Sequence, residues 1–226
     1  MIGPITDFPY LLEQITPHMS ADKTLPELHG ICFEASGEYL YAIASDRYTL
    51  AVSRRKVETG PNEPWSVFVT ADTLKSVRAF TKLNRRTPLH LDRRRGTDDD
   101  LLSLRAGHLA LEVPTLEGEL PRLWAGDWRR YVAEAVAADP DLRREVHLSP
   151  GMLARWGKAG GAARGEPLTV WATSPRRPLV IACGPDFLGL QMPITVHADG
   201  PGETPSSIRE QWADALSRPL PVGKAA

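Results

Sequence analysis

The stretch LHGICFEASGEYLYAIASDRYTLAVSRRKV, residues 28–57, decides the fold. It contains three runs of alternating or β-branched residues, separated by the turn sequences Ser36-Gly37 and Asp46-Arg47. Runs of this kind, with turn residues between them, are typical of consecutive β-strands. The stretch therefore predicts three successive strands.

A helix precedes these strands and the same order then recurs. Residues 5–19 place apolar side chains on one helical face, with Asp7 as the predicted N-cap. From Trp65 onward the sequence predicts a strand (WSVFV), a helix from about Ala71 to Leu83, and three strands (PLHLDRR, LLSLRAG and HLALEVP). Residues 1–125 are thus predicted to form one domain of two βαβββ units in tandem, an internal repeat.

A third, partial unit is predicted over residues 126–198. It consists of a strand EVHLS, a helix opened by Ser149 and Pro150, and the strands LTVWAT, PLVIAC and FLGLQMPITV. A connector helix over residues 127–145 precedes it, and its predicted apolar side is Tyr131, Val132, Ala135 and Val136. Residues 199–226 are rich in Pro, Gly and Ser, which predicts a mobile tail with one short helix at 206–216.

The composition limits the classes of function. Lys plus Arg (27) nearly balances Asp plus Glu (28), so that binding to nucleic acid must come from local patches. No apolar run approaches the ~20 residues of a membrane span, and no signal sequence is evident, which predicts a cytoplasmic protein without membrane contact. Cys32 and Cys183 lie in apolar runs and are predicted to be reduced core thiols.

The sequence assembles no catalytic or metal-binding motif. The six histidines lack the spacing of H-E-x-x-H, and C-x-x-C does not occur. The glycine-rich residues 157–165 lack the G-K-[ST] ending of a phosphate loop, and they predict the end of a helix followed by a loop. The acidic run Asp98-Asp99-Asp100, beside three arginines, suits a solvated hairpin tip better than a metal site. We expect a protein that is not an enzyme and needs no metal or cofactor.

Cations recur on the predicted helices. Lys75, Arg78 and Lys82 follow one another at steps of three and four, on one face, while Leu74, Val77 and Leu83 are predicted to face a sheet. The cations selected as candidates are Lys75, Arg78, Lys82, Arg85, Arg86, Arg129, Arg130, Arg155 and Lys158. An ordinary solvated basic face is the alternative interpretation.

Three segments resemble the bacterial DNA sliding clamp, the beta subunit of DNA polymerase III. Residues 28–52 are similar to its L-x-G…A-T-D-G-x-R-L-A stretch, LEGELPRLW (116–124) to its v-D-G-x-F-P-x-Y segment, and LGLQMPITV (188–196) to its closing y-l-v-M-P-x-r-l strand. The order and spacing of these motifs over residues 1–197 carry the resemblance, which is to a shortened, divergent member. Its Thr, Gly, His and Arg are replaced here by Ser45, Arg47, Tyr48 and Thr49.

The resemblance implies an α+β DNA-clamp fold, with antiparallel sheets on the outside of a ring and helices lining its inner face. A processivity factor of this kind encircles duplex DNA as a homo-oligomer, is loaded by a clamp loader, and tethers a polymerase or other clients. The helix cations would then contact phosphates without sequence preference. The alternative is a monomeric interaction module that binds client peptides without encircling DNA.

The resemblance also implies a hydrophobic pocket for client peptides. Its positions correspond to Ser45, Tyr48, Leu50, Pro121, Leu190 and Met192. A cleft of Leu, Pro and Met with an aromatic rim suits an apolar peptide anchor, although Leu50, Leu190 and Met192 could instead be core residues. Residues 211–216 (QWADAL) resemble a clamp-binding peptide, which suggests an autoinhibitory or assembly arm that occupies a neighbour's pocket.

Overall fold

Two complete βαβββ units and a partial third unit follow one another along the chain in the computed structural model. The structure describes residues 1–95, 100–116, 118, 120–140, 146–160, 165–172, 174 and 177–194. The first unit comprises β1 (Ile2–Ile5), α1 (Phe8–Ile15), β2 (Gly30–Ser36), β3 (Tyr39–Ser45) and β4 (Thr49–Lys56). The second comprises β5 (Trp65–Thr70), α2 (Ala71–Leu83), β6 (Leu89–Arg95), β7 (Asp100–Ala106) and β8 (Leu109–Pro114). The connector is α3 (Trp128–Ala137), and the third unit comprises α4 (Pro150–Arg155), β9 (Leu168–Trp171), β10 (Leu179–Cys183) and β11 (Phe187–Gln191).

The strands form two antiparallel sheets, with the orders β1-β6-β7-β8 and β5-β2-β3-β4-β11-β10-β9. The first strand of each complete unit lies in the sheet of the other unit, since β1 pairs with β6 and β5 pairs with β2. The third unit joins through the pairing of β4 with β11, where Leu50 lies opposite Leu190. The predicted α+β fold of tandem βαβββ units with antiparallel sheets is confirmed.

Alternate residues of the seven-stranded sheet enter two different cores. Ile31 and Phe33 of β2 pack with α1, α2 and the four-stranded sheet, on what we call the helix face. Cys32, between them, packs with Trp124 and Trp128 on the opposite side, which we call the connector face. This period of two is the direct consequence of strand geometry. The sheet is therefore covered on both sides.

The first helix is shorter than residues 5–19, and a strand precedes it. β1 pairs with β6, which sequence reasoning missed because IGPI is short and contains Gly and Pro. Asp7 precedes the helix as predicted, but its side chain makes no capping hydrogen bond. After α1 the chain continues as a 3₁₀ turn, Thr16–His18.

Leu83 does not face the sheet, since its side chain is 86% exposed. The buried residues of α2 are Leu74, Val77 and Thr81, which recur at steps of three and four. Leu83 lies six residues after Val77, a spacing that places it well away from the buried stripe.

The apolar side of the connector also differs from the prediction. Tyr131 and Val136 are 44% and 46% exposed, whereas Trp128 and Ala135 are buried. Trp128, Val132 and Ala135 recur at steps of four and three, and this stripe packs on β10 and β11. Leu123–Asp127 precede α3 and bury Trp124; we call this segment the π-helical turn because the N–H of Asp127 donates to the carbonyl of Arg122, although the backbone is kinked at Gly126 (φ 130°).

The third unit departs from the prediction at both ends. Residues 146–149 form no strand, although His147 accepts a hydrogen bond from the N–H of Ile194. β11 ends at Gln191 because Pro193, two residues later, has no N–H to continue a ladder.

The domain division at residue 125 stays a prediction, and the tail 199–226 and the hairpin tip 96–99 lie outside the described residues.

Both cysteines are free and buried, as predicted. Burial raises the pKa of each thiol, and for Cys183 the neighbouring Glu166 adds to the effect. Both are therefore poor nucleophiles. Within the described ranges no helix is long and apolar enough to cross a membrane, and no cluster of metal-ligating side chains occurs.

Candidate binding sites

A cavity of about 580 Å³ opens where the ends of β4 and β11 meet the connector. The residues that line it are Ser45, Arg47, Tyr48, Thr49, Leu50, Arg122, Leu123, Asp127, Tyr131, Pro178, Leu190 and Met192. We call it the strand-end pocket. Its size lies in the range of small-ligand and peptide-anchor sites.

Five of the six predicted pocket residues line this cavity. Pro121 is the exception: it is half-buried, and its carbonyl accepts the N–H groups of Trp124 and Ala125. It thereby begins the π-helical turn that brings Leu123 and Asp127 to the wall. Pro121 supports the pocket without lining it.

The pocket has an apolar floor and an accessible rim. Leu50 and Leu190 are 8% and 6% exposed and also belong to the core of the connector face. Tyr48 and Met192 are 53% and 40% exposed, and the N–H of Met192 donates to the carbonyl of Tyr48 at 2.9 Å. The two leucines are therefore core residues whose outer atoms also form the floor of the cavity.

Sequence reasoning missed the walls that the connector supplies. Arg122, Leu123, Asp127 and Tyr131 reach the pocket only because the π-helical turn and α3 pack on the connector face. The one available signal was Tyr131, an aromatic residue that the periodicity assigned to the apolar side of the connector. Its exposure in the structure makes it a second aromatic of the rim, together with Tyr48.

A buried carboxylate fixes the turn that carries Tyr48. Asp46 Oδ1 accepts the N–H groups of Tyr48 (3.0 Å) and Thr49 (2.7 Å) and the hydroxyl of Thr49 (2.9 Å). Its Oδ2 pairs with Arg155 of α4. Burial opposes the ionisation of Asp46, but the hydrogen bonds from Arg155 and Thr49 outweigh it and hold the pKa of its carboxyl below the ordinary value.

A histidine with no charge lies directly behind this turn. His18 is fully buried, its Nδ1 lies 3.3 Å from the hydroxyl of Thr49, and its ring lies 4.2 Å from that of Trp156. Burial, reinforced by the nearby Arg155 and opposed by Asp46, lowers the pKa of His18 to about 3. The imidazole is therefore neutral at physiological pH, and the helix face and the pocket turn share one polar network.

A second cavity, of about 460 Å³, runs between α1 and α2 on the helix face. It is lined by Pro9, Leu12, Glu13, Thr16, Pro17, Arg78, Thr81, Lys82, Arg85 and Lys158. Four of these residues are cations and one is an acid. We call it the cationic groove.

The cationic groove unites charges from two units. Lys158 follows α4, and Tyr10 and Gln14 of α1 hold its turn by donating to the carbonyl of Ala159, each at 2.6 Å. Arg78 of α2 donates to the hydroxyl of Thr16 at the end of α1. The helix face thus presents cations of the second and third units side by side.

The other predicted cations lie elsewhere or already have carboxylate partners. Lys75 forms an exposed ion pair with Asp72 at 2.7 Å, and Arg86 lines a small cavity next to the groove. Arg129 and Arg130 belong to α3 on the connector face, where Arg129 pairs with Glu34 and lies over the rings of Tyr41 and Trp128. Arg155 is held by Asp46. The structure therefore does not bring all nine cations together.

Comparison with known proteins identifies solved structures that have a similar fold. No protein-family model matches the sequence, and neither does any curated protein. Three similar solved structures are the DNA polymerase III beta subunit of Thermotoga maritima (TM-score 0.60, 14% identity), the DNA polymerase sliding clamp of Bacillus subtilis (0.58, 14%) and that of Pseudomonas aeruginosa with a ligand (0.62, 10%).

These matches cover most of this chain but only part of each relative. They include 84%, 84% and 87% of this chain, and 63%, 62% and 66% of the three clamps. At 10–14% identity the likeness concerns the backbone. It confirms the resemblance that the three sequence segments carry. The chain has the fold of the bacterial DNA sliding clamp.

Proposed function

We propose that this protein is a sliding-clamp-like replication processivity factor, which encircles duplex DNA as an oligomer and tethers a polymerase or other client through the strand-end pocket. The observation that carries the proposal is the cationic groove: on a clamp fold, cations from two different units lie together on the helix face. The protein performs no covalent chemistry in this account. It works in the cytoplasm, with a clamp loader as a further partner.

The charge distribution suits a protein that holds DNA loosely. The whole chain carries a net charge of −1, so that affinity must come from the groove and the adjoining Arg86. A few phosphate contacts give weak, salt-sensitive binding without sequence preference. Such contacts permit sliding, and a closed ring supplies the retention.

The strand-end pocket suits an apolar peptide anchor. Its floor of Leu50 and Leu190 offers buried apolar surface, and Tyr48, Tyr131 and Met192 at the rim can adjust to different side chains. Arg47 and Arg122 outnumber Asp127 on the walls, which favours an acidic or neutral peptide over a basic one. A short linear segment of a client is the ligand that this arrangement fits.

A monomeric interaction module is the second candidate. It is favoured by one observation: a single chain supplies every described wall of the strand-end pocket, so that peptide binding requires no ring. Such a module would bind client peptides equally well without encircling DNA.

Light scattering across a concentration series separates the two candidates. The clamp proposal predicts a discrete oligomer, a whole-number multiple of the 24.9 kDa chain, that persists on dilution. A strict monomer at every concentration would overturn the encircling mechanism and favour the monomeric interaction module.

Peptides selected from a random displayed library test the pocket in either case, with Tyr48→Ala/Met192→Ala as the control variant.

A further inference from the structure

We propose that the strand-end pocket is occupied in the resting protein by the chain's own segment 208–216, IREQWADAL, which a client must displace. This inference rests on the proposed function, because it takes the pocket to be a peptide site. It adds a regulatory ligand that belongs to the chain itself.

The first argument is position. β11 ends at Gln191, Met192 forms part of the pocket rim, and the described chain stops at Ile194. The described chain therefore ends two residues beyond the pocket rim. Residues 195–207 separate Ile194 from Ile208, and thirteen residues reach about 45 Å at most when fully extended. The segment is within easy reach of the pocket to which it is tethered.

The second argument is the chemistry of the pocket. Tyr48 and Met192 leave apolar surface exposed above the floor of Leu50 and Leu190. Arg47, Arg122 and Asp127 line the walls, which gives two positive charges against one negative charge. Neither arginine forms an ion pair with a carboxylate in the described part of the chain. A complementary ligand has bulky apolar anchors and a small excess of negative charge.

The third argument is the composition of the segment. Trp212 and Leu216 are large apolar residues four positions apart, and Ile208 precedes Trp212 by the same interval. Glu210 and Asp214 give the segment two negative charges against one positive charge, that of Arg209. Among residues 195–226 it is the stretch that combines an aromatic anchor with acidic residues.

Tethering makes even weak binding effective. A short flexible linker gives an effective concentration on the order of 1 mM, so that a segment with a dissociation constant of about 100 µM would fill the pocket in most molecules. A client with a stronger anchor would still displace it. The segment would exclude weak or non-specific peptides and keep the apolar rim covered.

The test uses a fluorescent synthetic peptide with the sequence of residues 206–217, SSIREQWADALS, and three forms of the full chain. These are the wild type, the tail variant Trp212→Ala/Leu216→Ala, and the matched control Ser207→Ala/Ser217→Ala. We expect the peptide to bind the tail variant with an apparent dissociation constant about ten-fold or more below that of the wild type and the control. Adding Tyr48→Ala/Met192→Ala to the tail variant should abolish this binding.

Two results would overturn the inference. Equal affinity for the wild type and the tail variant would show that the tethered segment leaves the pocket empty. No binding to the tail variant would show that the pocket does not accept this sequence. If peptides selected from the random library still bind in a Tyr48- and Met192-dependent manner, only the inference fails; if they do not, the peptide pocket of the proposed function fails as well.

Discussion

Asp46 joins two segments of the chain through a single carboxylate. It accepts hydrogen bonds from the turn that carries Tyr48, and it pairs with Arg155 of the third unit. The charge is 9% exposed, so its partners replace most of its hydration. The position of the pocket rim thus depends on a contact between the first and third units.

Replacing Asp46 by Asn should therefore destabilise the fold. The variant leaves Arg155 without its carboxylate partner and weakens the hydrogen bonds of the turn, at a cost of about 1–3 kcal/mol in unfolding free energy. Asp186→Asn is the matched control, because Asp186 pairs with Arg54 at 3.2 Å on the exposed surface, where such a pair contributes under about 1 kcal/mol. Urea denaturation measures both. Equal effects of the two substitutions would contradict the role of Asp46.

His18 predicts how stability depends on pH. Its pKa is lowered from the ordinary 6.5 to about 3 in the folded state, so the unfolded chain binds a proton that the folded chain does not bind between these values. Stability must then fall as the pH drops through this window, by at most about 1.4 kcal/mol per pH unit. Asp46 adds to the loss only near and below the ordinary carboxyl pKa.

The variant His18→Gln should reduce this slope between pH 6.5 and pH 4. His108→Gln, at an exposed position, should leave it unchanged. Denaturation midpoints measured across the window check the prediction. If His18→Gln retains the full slope, the burial of a neutral imidazole is not its source.

At the scale of elements, alternation and helical spacing predicted most of the fold. The strands of residues 28–57 were evident from β-branched and alternating residues between turn sequences, and the helix at Ala71 was evident because it buries one side at a regular period. β1 was missed because it is stabilised by β6, far away in sequence, and has little strand propensity of its own. Leu83, Tyr131 and Val136 are exposed, which shows that an apolar residue of a helix can lie outside the stripe that the helix buries.

The sequence likewise predicted some residues of the candidate sites and missed others. The pocket residues on β4 and β11 followed from sequence motifs, whereas Arg122, Leu123, Asp127 and Tyr131 depend on how the connector packs, which no local pattern records. The nine predicted cations also separate only in three dimensions. Helical spacing cannot reveal that α3 lies on the opposite side of the sheet from α2.

This separation of faces predicts which cations bind DNA. The triple variant Arg78→Ala/Lys82→Ala/Lys158→Ala should weaken binding to duplex DNA and lower the salt slope by about 0.9 for each phosphate that the variant no longer neutralises. Arg130→Ala on the connector face is the control and should change neither quantity. Fluorescence anisotropy at several salt concentrations gives both numbers. A larger effect from Arg130 than from the groove would show that DNA binds the connector face instead.

At the scale of the whole molecule, the chain combines a helix face suited to phosphates with a pocket suited to peptides. One polar network runs from His18 through Thr49 and Asp46 to Arg155, between the helix face and the pocket turn. The sheet is continuous from β5 to β9, so the pocket and the groove belong to one framework. A ring of such chains would carry clients on a framework that slides along DNA.

Topological retention tests this central claim most directly. Linear duplex DNA is incubated with the protein at low salt, half of the sample is closed with ligase, and both halves are then raised to about 0.5 M salt, which removes most phosphate contacts. We predict that the protein co-elutes with the closed circles, leaves the linear DNA, and leaves the circles once a restriction enzyme opens them. Equal loss from closed and linear DNA would contradict the encircling account.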